Sequence, residues 1–590
     1  MVVSCYHRAR FFLRLLMLLG CCLLLLPPSA AHSAALNLAI KGITGDCLKN
    51  VDKALALPGV LQRDEKVNPL WRQHFISQAA EKVKRALELF GYYHAQINLE
   101  LDEKVQPPLL TVKIDPGAPI LVARKEIRIE GDSVVLTRRL KPFPLQHGAV
   151  FRHDLYEQGK SDLLGLAVEL GYLDAAFTRH QVTVDTASNS AVIDLELDLG
   201  PRYHIGTIHF SGAPDYPDAF LKRYLNLPPG SVFSYARLGL AKQNFLDSDR
   251  FRSVTIRPRK DQAVDAELPL TIDLEPAPSR RLRAGLGYGT DTGARLNCRG
   301  QDLNLLHRGH TLAADILLAE LRQEIGLSYI IPDQRNLTSM TTLRGGYRKE
   351  NLDTYETRYF FTEAERVYGL APKKTASIFL RLLAERSDLG GEQINSELVI
   401  PGVRYQRAKL DNALRPTRGF RWSLEGRCPL DLNFSGLPAL QFLGDLQLIR
   451  PLPWNSLLLL RGAGGTTLQK DTFNDLPASL RFFTGGDNSV RGYSYRSLGP
   501  TDAENEVVGG RHFLAGSLEL EHRLTQDWAV AGFFDIGNAF DSFSAIAARK
   551  AAGLGLRYYT PVGPARLDLA RTIGDERNRF RIHIGLGVNW

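Results

Sequence analysis

The sequence predicts a multidomain chain of three α+β repeats followed by a transmembrane antiparallel β-barrel of about 16 strands. Three observations predict it. One apolar leader opens the chain, with no second run like it. A β-α-α-β-β pattern recurs three times before residue 280. After Ser279 the helical periodicity gives way to dyad alternation.

The leader comes first. Arg8, Arg10 and Arg14 give a basic start, and the apolar run Phe11–Leu26 is broken only by Arg14 and Gly20. PPSAAHSAALN follows, with small residues spaced for cleavage near Ala31 to Ala35. Residues 1–35 read as a secretory signal peptide, too short for a membrane anchor. LLGC at Cys21 suggests a lipoprotein site, but the apolar region runs on past it.

The chain has 590 residues, too many for one ordinary domain. Its formal charge of +9 includes the three leader arginines, so the balance is mild and does not suggest nucleic acid. Beyond the leader only Cys47, Cys298 and Cys428 remain, an odd and widely spaced set. That argues against a disulfide framework or a zinc site.

Each repeat opens with a short alternating strand running into glycine: LNLAIKG (36–42), EIRIEG (126–131) and GTIHFSG (206–212). Each closes with two strands. These are FGYYHAQINLELD and LLTVKIDPG, then LGYLDAAFTRHQVTVD and AVIDLELDLG, then DRFRSVTIRPRK and LPLTIDLEP. Helical patterns lie between. Phe75, Ala79, Val83 and Leu87 recur every fourth residue, and Gly91 is placed to end that helix. Strand order, the glycine after the first strand and the G-Y or R-F before the second resemble the POTRA domain. The expected boundaries are 36–117, 118–200 and 201–277, with the barrel at 278–590.

The barrel segments alternate. RLRAGLGYGT sets Leu282, Ala284, Leu286 and Tyr288 against Arg283, Gly285, Gly287 and Gly289. QEIGLSYII and GSLELEHRL repeat the pattern, and FRIHIGLGVNW carries it to Trp590. In lipid, strands are permitted only when closed into a barrel, because each backbone polar group needs a partner. Charges and glycines on the polar face fit a wet lumen. The ending His583-x-Gly585-x-x-Val588-x-Trp590 resembles the C-terminal signal of outer-membrane barrels.

Within the barrel lies FFTGGDNSVRGY (482–493), too rich in glycine for a helix and too long for a hairpin turn. It resembles the sixth extracellular loop of the BamA/TamA superfamily of outer-membrane assembly proteins, whose V-R-G-F/Y motif is here Val490, Arg491, Gly492 and Tyr493. GSLELE and FFDIGNAF downstream extend the likeness. The resemblance implies that Arg491 folds back into the barrel toward acidic groups on these strands. Alternation puts Glu519 and Asp535 on the inner face, where two carboxylates need a cation. A guanidinium pairs bidentately, as lysine cannot. Gly485, Gly486 and Gly492 supply the sharp turns.

The same resemblance points to the TamA branch, since three POTRA units follow the leader directly. It implies a TamB-like inner-membrane-anchored partner docking through the first POTRA unit. Unfolded outer-membrane protein clients, autotransporters among them, and outer-membrane lipid are the other implied partners. The implied site is the outer membrane of a Gram-negative bacterium, with the POTRA units in the periplasm. The alternative is a two-partner-type secretion pore or other POTRA-barrel transporter. Tyr493 is within the family's aromatic choice, and Trp590 stands where Phe is commoner. A lateral seam is expected between the first strand (Leu282, Gly285, Gly287, Gly289) and the last (Gly585, Gly587, Trp590), because alternate glycines weaken pairing.

No catalytic chemistry is expected. Gly285-x-Gly287-x-Gly289 has no helix after it to hold a phosphate. No G-x-S-x-G elbow occurs, and His307 and His310 flank a turn. No cofactor or metal is implied.

Overall fold

A computed structural model describes residues 36–586 except 59–60, 62–68, 106, 413–414, 433–438, 470–475, 561–562 and 575–579. The proposed leader, Gly587 and Trp590 lie outside the described residues. The chain forms two compact units: residues 1–206 with 229–236 and 263–268, and the remainder to 590.

Each repeat builds a three-stranded sheet with its closing strand in the centre. In the first, Leu109–Asp115 pairs parallel with Asn37–Lys41 and antiparallel with Gln96–Asp102. In the second, Ser190–Asp198 does the same between Leu121–Glu130 and Ala176–Asp185. In the third, Glu267–Pro276 lies between His204–Ser211 and Phe251–Pro258.

The fourfold-spaced residues of helix Pro69–Glu88 are all buried against the first sheet. Phe75, Ala79, Val83 and Leu87 share one cluster with Leu110, Val112 and Ile114. Gly91 ends the helical segment at φ +88°. The glycine that closes the opening strand of the first and third repeats has a steric cause. A Cβ on Gly42, at φ +100°, would lie 1.9 Å from the Ile114 carbonyl oxygen, and one on Gly212, at φ +81°, 2.2 Å from that of Leu274.

From Arg280 onward the strands pair with their chain neighbours and close into a 16-strand antiparallel barrel. The short stretch Leu430–Asp431 adds to Glu392–Leu410. The dyad pattern sorts as expected. Leu282, Leu286, Leu518, Leu520, Ile582 and Ile584 face outward and are exposed, whereas Glu519, Asp535 and His583 are buried inside. Inward carboxylates elsewhere in the barrel also meet guanidinium groups: Glu363 receives Arg344 and Arg381, and Glu365 and Glu425 receive Arg404.

Part of the third repeat sits on the barrel turns at the end where the first strand begins. Arg250 Nη2 donates to the Gly309 carbonyl and to Thr311 Oγ1 at 3.2 and 3.0 Å. Arg223 Nη2 donates to the Leu337 carbonyl at 3.1 Å. The first hairpin turn, Thr290–Thr292, marks the opposite end. The segment from Leu476 to Arg511 belongs to the sixth connection on that end and turns back into the lumen.

Candidate functional site: a loop arginine pinned inside the barrel

Four adjacent strands prepare the site: His512–Arg523, Trp528–Phe540, Arg549–Thr560 and Gly563–Ile573. Register aligns Ser517 with Asp535 and then with Ala551, and Glu519 with Phe533 and then with Gly553. Leu518, Leu520, Phe534 and Ile536 face outward, and the alternation aims Ser517, Glu519, Phe533 and Asp535 into the lumen.

Arg491 descends onto this array and is 2 % exposed. Its Nε donates to Asp535 Oδ2 at 2.7 Å and its Nη2 to Asp535 Oδ1 at 2.9 Å, a bidentate fork. Nη1 donates to Glu519 Oε2 at 2.8 Å and to Asp568 Oδ2 at 3.2 Å. Nη2 also reaches Ser517 Oγ at 3.2 Å, and the Arg491 backbone N–H donates to Asp535 Oδ2 at 3.1 Å. The guanidinium carbon lies 3.4 Å from the centre of the Phe533 ring.

A second arginine completes the network. Arg557 donates to Glu519 Oε1 at 2.8 Å and to Asp568 Oδ1. Two guanidinium groups thus share three carboxylates, each buried charge having an opposite neighbour. Gly553 and Gly555 leave the room: a Cβ there would meet the Phe533 ring at 2.4 Å and Asp568 Oδ1 at 2.0 Å.

The other loop residues are placed around it. Val490 is fully buried beside Leu498 and Ala551, with Tyr493 against that cluster. Gly485, Gly486 and Gly492 all have positive φ. A Cβ on Gly485 would lie 2.3 Å from the Ser494 carbonyl oxygen. Farther along, Arg496 bonds Tyr355 and lies 3.5 Å from Glu350.

At the seam, the first strand meets the last. Among the described residues Tyr288 pairs with Leu586 and Gly289 with Gly585, whereas the first strand's other ladder runs from Arg280 to Gly289. Thr290 N–H donates to the Ile584 carbonyl at 3.0 Å, and Ile584 N–H to Thr290 Oγ1 at 2.7 Å. Gly287 has a packing reason: its Cβ would be 2.7 Å from the Leu586 carbonyl oxygen, which also accepts from Arg295 at 3.1 Å. Among the described residues, nothing lies within 4 Å of a Cβ on Gly285, and Leu282 lies on the outer face away from the described pairing.

Sequence reasoning brings Arg491, Glu519 and Asp535 together but misses Arg557, Asp568, Ser517 and Phe533. Asp568 stands between Leu567 and Leu569, and Arg557 between Leu556 and Tyr558, so the same alternation rule would have turned both inward. It also misses the partner of His583. The Gly492 N–H donates to His583 Nε2 at 2.8 Å, which leaves the ring proton on Nδ1, facing Asp487 Oδ1. Asp291, Asp487 and His583 have ligand-type atoms within 4.8 Å of one another. The tautomer makes Nδ1 a donor, so the trio is a hydrogen-bonded relay and not a ligand set.

Comparison with known proteins places this architecture. Residues 304–590 match the Omp85 superfamily domain, residues 37–116 the POTRA domain TamA domain 1, and residues 203–277 the surface antigen variable number repeat, a POTRA model. The outer membrane protein assembly factor BamA of Nitratidesulfovibrio vulgaris is 21 % identical, over 88 % of this chain and 80 % of its own. That of Neorickettsia risticii is 22 % identical, over 82 % of this chain and 68 % of its own. The crystal structure of BamA from Haemophilus ducreyi lacking POTRA domains 1–3 superposes with a TM-score of 0.66 at 16 % identity, covering 79 % of this chain and 99 % of that one. With POTRA matches ahead of an Omp85 match and the closed barrel to go with them, the chain is a POTRA-barrel protein of the Omp85 superfamily.

Proposed function

We propose that the protein is an outer-membrane assembly factor that helps insert or translocate outer-membrane proteins, autotransporters among them, as the outer-membrane half of a translocation and assembly module. The observation that carries this reading is the barrel seam. Its described pairing spans Tyr288↔Leu586 and Gly289↔Gly585, beside a loop fastened inside the barrel by Arg491. The first and last strands close the barrel across this seam, and an edge opened there accepts a client strand by β-augmentation. The pinned loop keeps the rest of the wall in register while the seam parts.

The first repeat is the docking site for a TamB-like inner-membrane-anchored partner. The match of residues 37–116 to the first POTRA domain of TamA supports that assignment. The repeats lie in the periplasm, and unfolded barrel proteins and outer-membrane lipid are what the seam meets.

A cysteine pair replacing Gly289 and Gly585 tests the reading. Insertion of an autotransporter barrel into vesicles holding the full chain should stop on oxidation and return on reduction. Insertion at the reduced rate's value in the locked protein, with steady conductance in a planar bilayer, would replace assembly by a secretion pore. Deleting residues 36–117 should abolish co-purification of the large inner-membrane partner.

A further inference from the structure

We propose that Asp291, Asp487 and His583 form a proton-dependent clip, fastening the re-entrant loop across both sides of the barrel seam and so regulating its opening. The inference rests on the seam reading above.

The clip joins three chain segments that lie far apart in the sequence. Asp291 sits in the turn of the first hairpin, Asp487 in the loop, and His583 on the last strand. The Asp487 N–H donates to Asp291 Oδ2 at 2.8 Å, and Asp487 Oδ1 accepts from His583 Nδ1. His583 Nε2 in turn accepts the N–H of Gly492, next to the pinned Arg491. One loop residue is therefore bonded to the first hairpin and the last strand at once. Gly486 is shaped for the contact: at φ +100° its Cβ would lie 2.8 Å from both Asp291 carboxylate oxygens.

The chemistry of the clip is a shared negative charge. The His583 Nδ1–H donates to Asp487 Oδ1. Asp291 lies against it and takes one backbone N–H. The charged groups facing Asp291 are Asp487 on the loop and His583 and Arg581 on the last strand, while Arg295 on the second strand faces Asp487. Neither arginine is ion-paired to these carboxylates among the described residues. Arg581 donates to Ser494 Oγ and Arg295 to the Leu586 carbonyl. Two adjacent carboxylates without a cation between them hold together only when one keeps its proton. Burial, then the Asp487 charge, pushes the Asp291 carboxyl up to about 7.

The sign follows. In the open state Asp291 meets water and titrates near the ordinary aspartate value of about 4. The closed state therefore binds the extra proton, and its advantage is complete below about pH 4. The closed-to-open ratio falls about tenfold per pH unit up to about pH 7 and is level above it. Acid on the outer face shuts the seam, and neutral pH releases it.

The test uses the full chain in lipid nanodiscs with Cys47, Cys298 and Cys428 changed to Ser. Nitroxides are placed on cysteines replacing Ala294 and Ile573, one on each side of the seam. Pulsed-EPR distances should show one short population at pH 4 and a growing longer one toward pH 7. Asp291→Asn, which keeps an acceptor for the Asp487 N–H and replaces the proton with an amide N–H, should stay short throughout. Asp487→Ala should show the long population even at pH 4. Retained folding is checked by the shifted gel mobility of unheated barrel. A flat wild-type profile from pH 4 to 8, or an Asp291→Asn protein that keeps the wild-type transition, overturns the clip. Client insertion is measured in the same preparations. A seam that responds to pH while insertion ignores the seam sinks the assembly reading and leaves the clip standing. A seam that ignores pH while a locked seam blocks insertion does the reverse.

Discussion

Arg491 presents its flat face to the Phe533 ring, 3.4 Å from the ring centre, while its edge holds both oxygens of Asp535. Face and edge are used together. A guanidinium is the one cationic side chain that stacks and forks at once, and its weak hydration suits a buried position.

Arg491→Ala should leave Asp535 without its ion pair and Glu519 and Asp568 with Arg557 alone. Breaking such a buried pair costs about 3–5 kcal/mol. Arg491→Lys keeps the charge but loses the fork and the stacking, so it should recover only a minor part. Chemical melts and protease cleavage of residues 476–511 would measure this. Full loop protection in the Lys variant would show that a point charge suffices.

Gly553→Val should push the Phe533 ring off the guanidinium, since a Cβ at that position meets the ring at 2.4 Å and the Leu569 carbonyl oxygen at 2.2 Å. Overpacking of this kind costs about 1–3 kcal/mol. Gly462, with nothing within 4 Å of its would-be Cβ, is the control, and Gly462→Ala should melt within about 0.5 kcal/mol of the parent.

In the third repeat, Gly212→Ala should cost about 1–3 kcal/mol, because a left-handed φ of +81° is joined by a Cβ contact of 2.2 Å with the Leu274 carbonyl oxygen. Gly230, at φ +78° with open space, carries only the backbone penalty, and its Ala variant should lose about 1–2 kcal/mol. Hydrogen exchange of strand Glu267–Pro276 separates the two. Equal losses would mean that the contact relaxes freely.

Arg250→Ala should free the third repeat's loop from the barrel turn, removing donors to Gly309 and Thr311 and a cation over the Phe220 ring at 5.4 Å. Hydrogen bonds from a charged group are worth about 1.5–3 kcal/mol. Exchange protection at Gly309–Thr311 should drop while the site at Arg491 keeps its own. Loss of both would show that the two ends of the barrel are coupled.

Much of the architecture was legible in the residues. A period of four in Phe75 to Leu87 gave a buried helix face, and a period of two sorted Leu518 and Leu520 from Glu519. Both patterns are local, since side-chain direction follows backbone geometry one residue at a time. The same rule applied to Asp568 and Arg557 would have widened the site. Asp291 was different. Nothing in a hairpin turn announces that a loop nearly two hundred positions away will donate its Asp487 N–H there.

By itself the sequence determined the repeat pattern, the inner and outer faces of the strands, and the inward carboxylates that await Arg491. Periodicity and charge are properties of neighbouring residues. The tertiary structure alone decided which loop N–H meets His583, where Gly553 makes room for Phe533, and how first and last strands share their edge. Barrel closure sets those contacts, because it brings together strands whose separation along the chain is nearly the whole length of the barrel.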